Sequence, residues 1–344
     1  MKSSIRPCAP EDVSAVAALM ADCGLVPNLR PAEAHWKYWQ ERPDWPAPRS
    51  FVMTLGDEII AHAAGVPGQY QWNGQGVRTL HVIDWAARPS AAGAGVSLLK
   101  YLARGADALL AIGGSSRTLE ILPHVGFRLR GSVTGYVRPL RPLRLVAPSV
   151  HPTWRVPPRI VRSALWAIQT PRADTDGWTV SPINSDDVGA VAEILPHPTS
   201  GMAVLERSAD LFRYALACPI ASMSLFSVAQ AGRARGYFVL AHALRQARLV
   251  DCWMDSADPA DWRALIQCAV REAKRHPFAA ELAAWASDPL LSRCLRECGF
   301  RARSEAPVQL LGPRNSALVP AALRVQMLDN DAAYRHVGRN EFWA

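Results

Sequence analysis

The sequence predicts a mixed α/β fold built twice over, and three observations carry that expectation. The first is an internal echo. Glu11-Asp12-Val13-Ser14-Ala15-Val16-Ala17-Ala18-Leu19-Met20 returns as Asp186-Asp187-Val188-Gly189-Ala190-Val191-Ala192-Glu193-Ile194-Leu195. Further on, His81-Val82-Ile83-Asp84-Trp85 is matched by Leu249-Val250-Asp251-Cys252-Trp253, and Val125-Gly126-Phe127-Arg128 by Cys298-Gly299-Phe300-Arg301. The matches keep one order, and their spacing is that of whole domains, not of a solenoid repeat. The second observation is length: 344 residues is two domains at about 100–200 residues each. The third is alternation, since apolar strand-like runs and amphipathic helical runs succeed one another in the same sequence in both halves.

Taken in order, Ser4-Ile5-Arg6-Pro7 reads as a strand, and Pro10-Glu11-Asp12 opens a helix to Cys23 with proline and acids in its first turn. A second helix is expected over Ala32 to Gln40, followed by a proline-rich loop. Residues 50–55 and 58–65 flank the turn Gly56-Asp57 as a hairpin. Arg78 to Ala87 is a further strand, Ala94 to Gly105 a helix, and Ala108 to Ile112 an apolar strand suited to mid-sheet. A short helix ends at Gly126, and a strand pair covers Phe127 to Val137. The stretch 139–176 is rich in proline and arginine, with one helix at Pro158 to Gln169, and reads as a linker. The second half repeats the plan: strand Trp178 to Pro182, helices Asp186 to Leu195 and Ser208 to Ala217, then strands Met223 to Gln230, Gly236 to Ala243 and Gln246 to Met254. Helix Ala260 to His276, strand Ala279 to Ala286, helix Pro289 to Cys298 and a last strand near Val308 to Leu311 complete it. The expected boundaries are therefore 1–138, linker 139–176, 177–312 and a tail 313–344.

Composition narrows the function. With 49% hydrophobic and 20% charged residues the chain can bury two cores. The net charge of +8 favours an anionic partner. There is no basic helix, zinc spacing or RNA-binding sheet signature, so nucleic acid is not expected as that partner. The seven cysteines show no paired metal-ligand spacing and read as reduced thiols, with no metal expected. No apolar leader or run of about eighteen apolar residues occurs, so no membrane span and a cytoplasmic location are expected.

The turn Pro89-Ser90-Ala91-Ala92-Gly93-Ala94-Gly95-Val96-Ser97, between an expected strand and an expected helix, with Gly126-Phe127 downstream, resembles the pyrophosphate turn of the GNAT superfamily of acyl-CoA-dependent acyltransferases. Tandem GNAT-like domains are what the duplication then implies. The chemistry of such a turn is direct: a helix N-terminus offers free N–H donors and partial positive charge, and small side chains let phosphate oxygens approach. The resemblance implies acyl-CoA as co-substrate, with Ala86, Ala87, Gly93, Ala94, Gly95, Val96 and Ser97 as its binding residues. Ala92 stands where the family usually has arginine or glutamine. It further implies Asp84 as general base, with His81 a second candidate and a strand-end structural role the alternative for each. Leu122 occupies the position of the family's tyrosine general acid. Ser115, beside Ser116, is a candidate to hold a water or the thiol, with helix capping as the competing role. Trp36, Tyr38 and Trp39 lie on the helix that covers the acceptor in this family and are candidate acceptor-binding residues, or else core. In the second half, Asp255, Asp258 and Asp261 stand where a pyrophosphate would sit and would repel it, so that copy is expected to be degenerate.

The function expected from the resemblance is transfer of an acyl group from acyl-CoA to the amine of a small molecule, sugar or peptide. A carrier-protein donor and a non-catalytic ligand-binding or scaffold role are the alternatives.

Overall fold

The computed structural model describes residues 3–145, 161–162, 164–166, 175–197, 202–312, 320–338 and 342–343. One continuous sheet runs through the molecule in the order β1-β2-β3-β4-β5-β13-β6-β12-β11-β10-β9-β7. From the N-terminal half come β1 (Ser3–Pro7), β2 (Ser50–Leu55), β3 (Glu58–Trp72), β4 (Gln75–Ala87), β5 (Ala108–Ile112) and β6 (Arg128–Pro139). The C-terminal half supplies β7 (Trp178–Ile183), β8 (Met202–Leu205), β9 (Ser222–Gln230), β10 (Arg233–Ala243), β11 (Gln246–Met254), β12 (Glu281–Ala286) and β13 (Arg301–Leu311). The order is the same read from either edge to the middle, as the internal echo requires.

The middle holds a feature that sequence did not reveal. The last strands of the two halves have changed places. β13 pairs antiparallel with β5, and β6 pairs antiparallel with β12, while β6 and β13 pair with each other. The expected strand pair after Gly126 is thus one strand, β6, whose hydrogen-bonding partners both come from the other half. Each half on its own would leave β5 or β12 an open edge.

Around the sheet lie α1 (Val13–Asp22), α2 (Pro31–Ala34) continued by a π-turn at His35–Trp39, α3 (Ala94–Leu102), α4 (Ser116–Val125), α5 (Ala209–Leu216), α6 (Pro259–Arg275) and α7 (Pro289–Glu297). The segment expected as a helix at Asp186–Leu195 is a 3-10 helix, Ser185–Ile194. Gly189 in its centre and an Asn184 that makes no side-chain cap leave the wider helix without support. The expected linker helix falls largely outside the described residues. In the tail, β14 (Ala322–Arg324) pairs parallel with β8, which in turn meets β3 at Tyr70 and Gln71. Short 3-10 turns at Met327–Asp329 and Asp331–Ala333 follow.

Candidate active site

Parallel pairing of β4 with β5 is short: Thr79, Leu80 and His81 face Ala108, Leu109 and Leu110, and there it ends. Beyond His81 the two strands splay, and a cavity of about 570 Å³ opens between them. Its walls include Ile83 to Ala87 of β4, Gly93, Gly95 and Val96 at the head of α3, and Gly113 to Ser115 beyond β5.

The head of α3 meets the cavity uncapped. Gly93 is its N-cap at φ +80°, a left-handed conformation that favours glycine, and no side chain caps the first-turn N–H groups. The polypeptide therefore presents backbone donors and the positive end of the helix to open space. A Cβ at Gly95 would lie 2.9 Å from Trp85 Nε1, whose indole donates to the Gly95 carbonyl at 3.0 Å. Gly95 is thus needed for close packing, and Gly93 for its dihedral. Ala86, Ala87, Gly93, Gly95 and Val96 line the cavity; Ala94 is buried inside the helix and Ser97 points outward, exposed.

A bulge shapes the β4 wall. Asp84 and Trp85 together oppose Ala63, because Ile83 pairs with Ala64 and Ala86 with His62. Asp84 sits at φ +48°, a conformation that aspartate tolerates better than most residues. His62 locks it, with Nδ1 2.9 Å from the Asp84 carbonyl and Nε2 2.8 Å from the Ser50 hydroxyl. Since a carbonyl only accepts, the proton is on Nδ1 and the serine donates to Nε2.

The Asp84 carboxylate is not free to act as the base. Its side chain is 7% exposed, Lys37 Nζ lies 2.5 Å from Oδ2, and the Tyr38 hydroxyl donates to the same oxygen at 2.7 Å. Burial resists its ionisation, but the Lys37 ammonium and the Tyr38 hydroxyl outweigh that and hold it below the ordinary aspartate value. His81 is buried beside Tyr70, 3.5 Å from its hydroxyl, and burial pushes its pKa down to about 3. Ser115 lines the cavity, and its hydroxyl caps α4 by accepting from the Thr118 N–H at 3.2 Å.

Trp36, Tyr38 and Trp39 belong to the core, not to the cavity wall. Trp36 stacks on Tyr214 with centroids 4.5 Å apart, donating to the Tyr214 carbonyl and accepting the Tyr214 hydroxyl at its own carbonyl. It staples one half to the other. Tyr38 serves Asp84, and Trp39 donates to the Cys8 carbonyl at 2.7 Å, tying the π-turn to the end of β1. The wide π-turn spreads these side chains around the helix, so they do not form one aromatic face.

Reading the sequence missed the groups that the tail brings in. Asn330, Asp331 and Arg335 line the same cavity. Burial, then the neighbouring Asp84 charge, raises the Asp331 carboxyl above its ordinary value, against the pull of Lys37. Among the described residues, no side chain donates to that carboxylate. No periodicity marks such a segment, because its only regular pieces are a three-residue strand and two single turns. The Gly113-Gly114 pair after β5, at φ +65° and +119°, was visible in the sequence as a breaker and also escaped notice.

The corresponding splay of the second half holds a smaller cavity of about 360 Å³, walled by Met254 to Ala257, Trp262, Asp288 and Arg324. Arg324 of β14 lies over Trp253 at 4.7 Å and Trp262 at 5.1 Å, ion-paired to Asp288. The head of α6 is closed by its own turn, as Asp258 accepts from the Ala260 N–H at 2.8 Å. Asp251, matching the β4 acid, is buried against Arg207, which also holds Asp329 at 2.7 Å.

Comparison of the fold with solved structures gives a consistent set of neighbours. A GCN5-related N-acetyltransferase from Anabaena variabilis aligns at TM-score 0.57 and 13% identity, covering 93% of this chain and 75% of that one. Saccharomyces cerevisiae N-myristoyltransferase, solved with myristoyl-CoA and inhibitors, aligns at TM-score 0.59 and 13% identity, covering 90% and 80%. The chain has the GNAT acyltransferase fold. A GCN5-related N-acetyltransferase from Kribbella flavida aligns similarly, at TM-score 0.55 and 14% identity over 90% and 70%. No family model and no curated protein matches the sequence. The GNAT fold therefore rests on three-dimensional likeness and on the turn at Gly93, not on overall sequence similarity.

Among the described residues, no helix is long and apolar enough to cross a membrane, and no three metal-ligating side chains gather.

Proposed function

We propose that the protein transfers an acyl group from an acyl-CoA thioester to an amine, with the donor seated in the β4–β5 splay of the N-terminal half. The observation that carries this reading is the uncapped head of α3, which opens through Gly93 onto a 570 Å³ cavity. Its second-half counterpart is a smaller cavity of about 360 Å³, where Arg324 lies over two tryptophans and Asp258 already caps the helix head. Solved neighbours of the same fold include one with myristoyl-CoA bound. The pyrophosphate would rest on the Gly95 and Val96 N–H groups.

The Arg88 N–H donates to Ile60 on the β3 side at 2.9 Å. Alternation along the strand then turns the Ala87 N–H into the splay, where it can polarise the thioester carbonyl. Asp331 is the general base in this scheme. Its carboxylate takes a proton from the attacking nitrogen, the C–S bond breaks as the amide forms, and the proton is returned to the departing thiolate through solvent. Asp84 fixes Lys37 and the bulge, and through them the electrostatic setting of Asp331. Leu122 is fully buried and supplies no acid, so the thiolate leaves unassisted.

The test is a calorimetric titration of the full chain with CoA, acetyl-CoA and myristoyl-CoA, followed by thiol release with a panel of amines. Binding with thiol release supports the enzyme. Binding without release under any amine or carrier-protein donor would reduce the site to a ligand-binding one, and no binding would remove the reading.

A further inference from the structure

A second cavity, of about 390 Å³, lies on the other side of the tail. It shares four lining residues with the first: Ile112, Asn330, Asp331 and Arg335. Its volume is that of a small-molecule site, for which roughly 300–1,000 Å³ is usual. The wall is strongly cationic, with Arg245, Arg248 and Arg335 against the single carboxylate of Asp331, while Trp285 and Trp343 give it flat apolar surface.

The tail turn between the two cavities is rigidly held. Arg248 donates to the carbonyls of Ala332 at 2.9 Å and Arg335 at 2.8 Å, and the Asn330 side chain accepts from the Ala332 N–H at 3.1 Å. The Arg335 N–H bonds to the Asp331 carbonyl at 2.8 Å, so the two side chains stand one turn apart on the same wall. Among the described residues, neither is ion-paired, to each other or to a third group. A carboxylate and a guanidinium held side by side without satisfying one another are arranged for a ligand of opposite polarity.

Resting on the acyltransferase reading, we propose that the acceptor is a small amine that also carries a carboxylate or phosphate, lying in this second cavity with its amine toward Asp331 and its anion on Arg335. The acyl donor and the acceptor then enter from opposite sides of the tail and meet at Asp331. The neighbouring Arg245 adds to the positive field, and the exposure of Arg335 makes that field sensitive to salt.

The experiment uses the full chain and two matched pairs: phenylalanine against phenylalaninamide, and phosphoethanolamine against ethanolamine. Binding is measured by calorimetry without donor, and KM by thiol release with acetyl-CoA. At least one anionic member should bind ten-fold or more tighter than its neutral partner. Arg335→Gln should erase that preference by weakening the anionic member alone, and Arg335→Lys should restore part of it. Equal binding of charged and neutral partners, or a preference that survives Arg335→Gln, overturns the proposal. An Arg335-dependent preference in a protein that fails to bind CoA would keep the acceptor site and sink the donor assignment. Turnover of neutral amines alone would do the reverse.

Discussion

Asp84 and Asp331 both face the Lys37 ammonium, yet they are pushed in opposite directions: Asp84 is held below the ordinary aspartate value and Asp331 above it. Two carboxylates near one cation divide into an ion-pair anchor and a group that can exchange a proton. Asp331→Asn should therefore lower kcat by about 10²–10⁴-fold, the usual share of a general base. It should also abolish the acid limb of the pH–rate profile, a limb that in the parent lies above the ordinary aspartate value. Stability moves the other way. A carboxyl whose folded value is raised is penalised once the pH exceeds that value, so Asp331→Asn should be no less stable than the parent at neutral pH. Asp84 has the opposite sign. Its lowered value stabilises the fold above the unfolded pKa and is lost as the pH falls through the folded one. Asp84→Asn leaves Lys37 without its anchor and should cost on the order of 3–5 kcal/mol by chemical denaturation. In the double variant Asp84→Asn with Lys37→Met, the loss should be smaller than the sum of the single losses.

At the scale of elements, the helix α3 and the tail are the informative pair. Gly93 has open space for a side chain but a φ of +80°, whereas Gly95 has an ordinary φ and no room. Gly93→Ala should thus cost about 1–2 kcal/mol from the left-handed dihedral. Gly95→Leu should displace Trp85 and weaken CoA binding further, both effects measurable by thermal shift with and without CoA. The strands were legible because their apolar runs are bounded by breakers. β5 at Ala108–Ile112 and β11 at Gln246–Met254 have the ends read from sequence. The Gly93 turn was legible for the same reason. Asp84 was found by its position, but not its partner Lys37, since a buried lysine on a π-turn looks like any solvated lysine between aromatic residues. Asp331 and Arg335 could not be read at all, because their placement depends on contacts with β11 and with no local pattern.

The molecule as a whole is one object despite its two copies. Exchange of β6 and β13 gives each half a strand from the other, the Trp36–Tyr214 stack crosses between them, and the tail bonds to both, Asp329 to Arg207 and the His336 N–H to Asn28. Calorimetry should accordingly show one cooperative unfolding transition; two separable transitions would mean that the exchanged strands do not couple the halves. The two splays differ in chemistry: α3 turns an uncapped head to the larger cavity, whereas the smaller one meets a helix head already capped by Asp258, and under the proposed function this asymmetry leaves one donor site. Isothermal titration with CoA tests it most directly. The account predicts one molecule bound per chain, with affinity reduced at least ten-fold by Gly95→Leu and unchanged by Trp262→Phe in the second-half cavity. Two sites per chain, or binding that responds to Trp262 and not to Gly95, would contradict it.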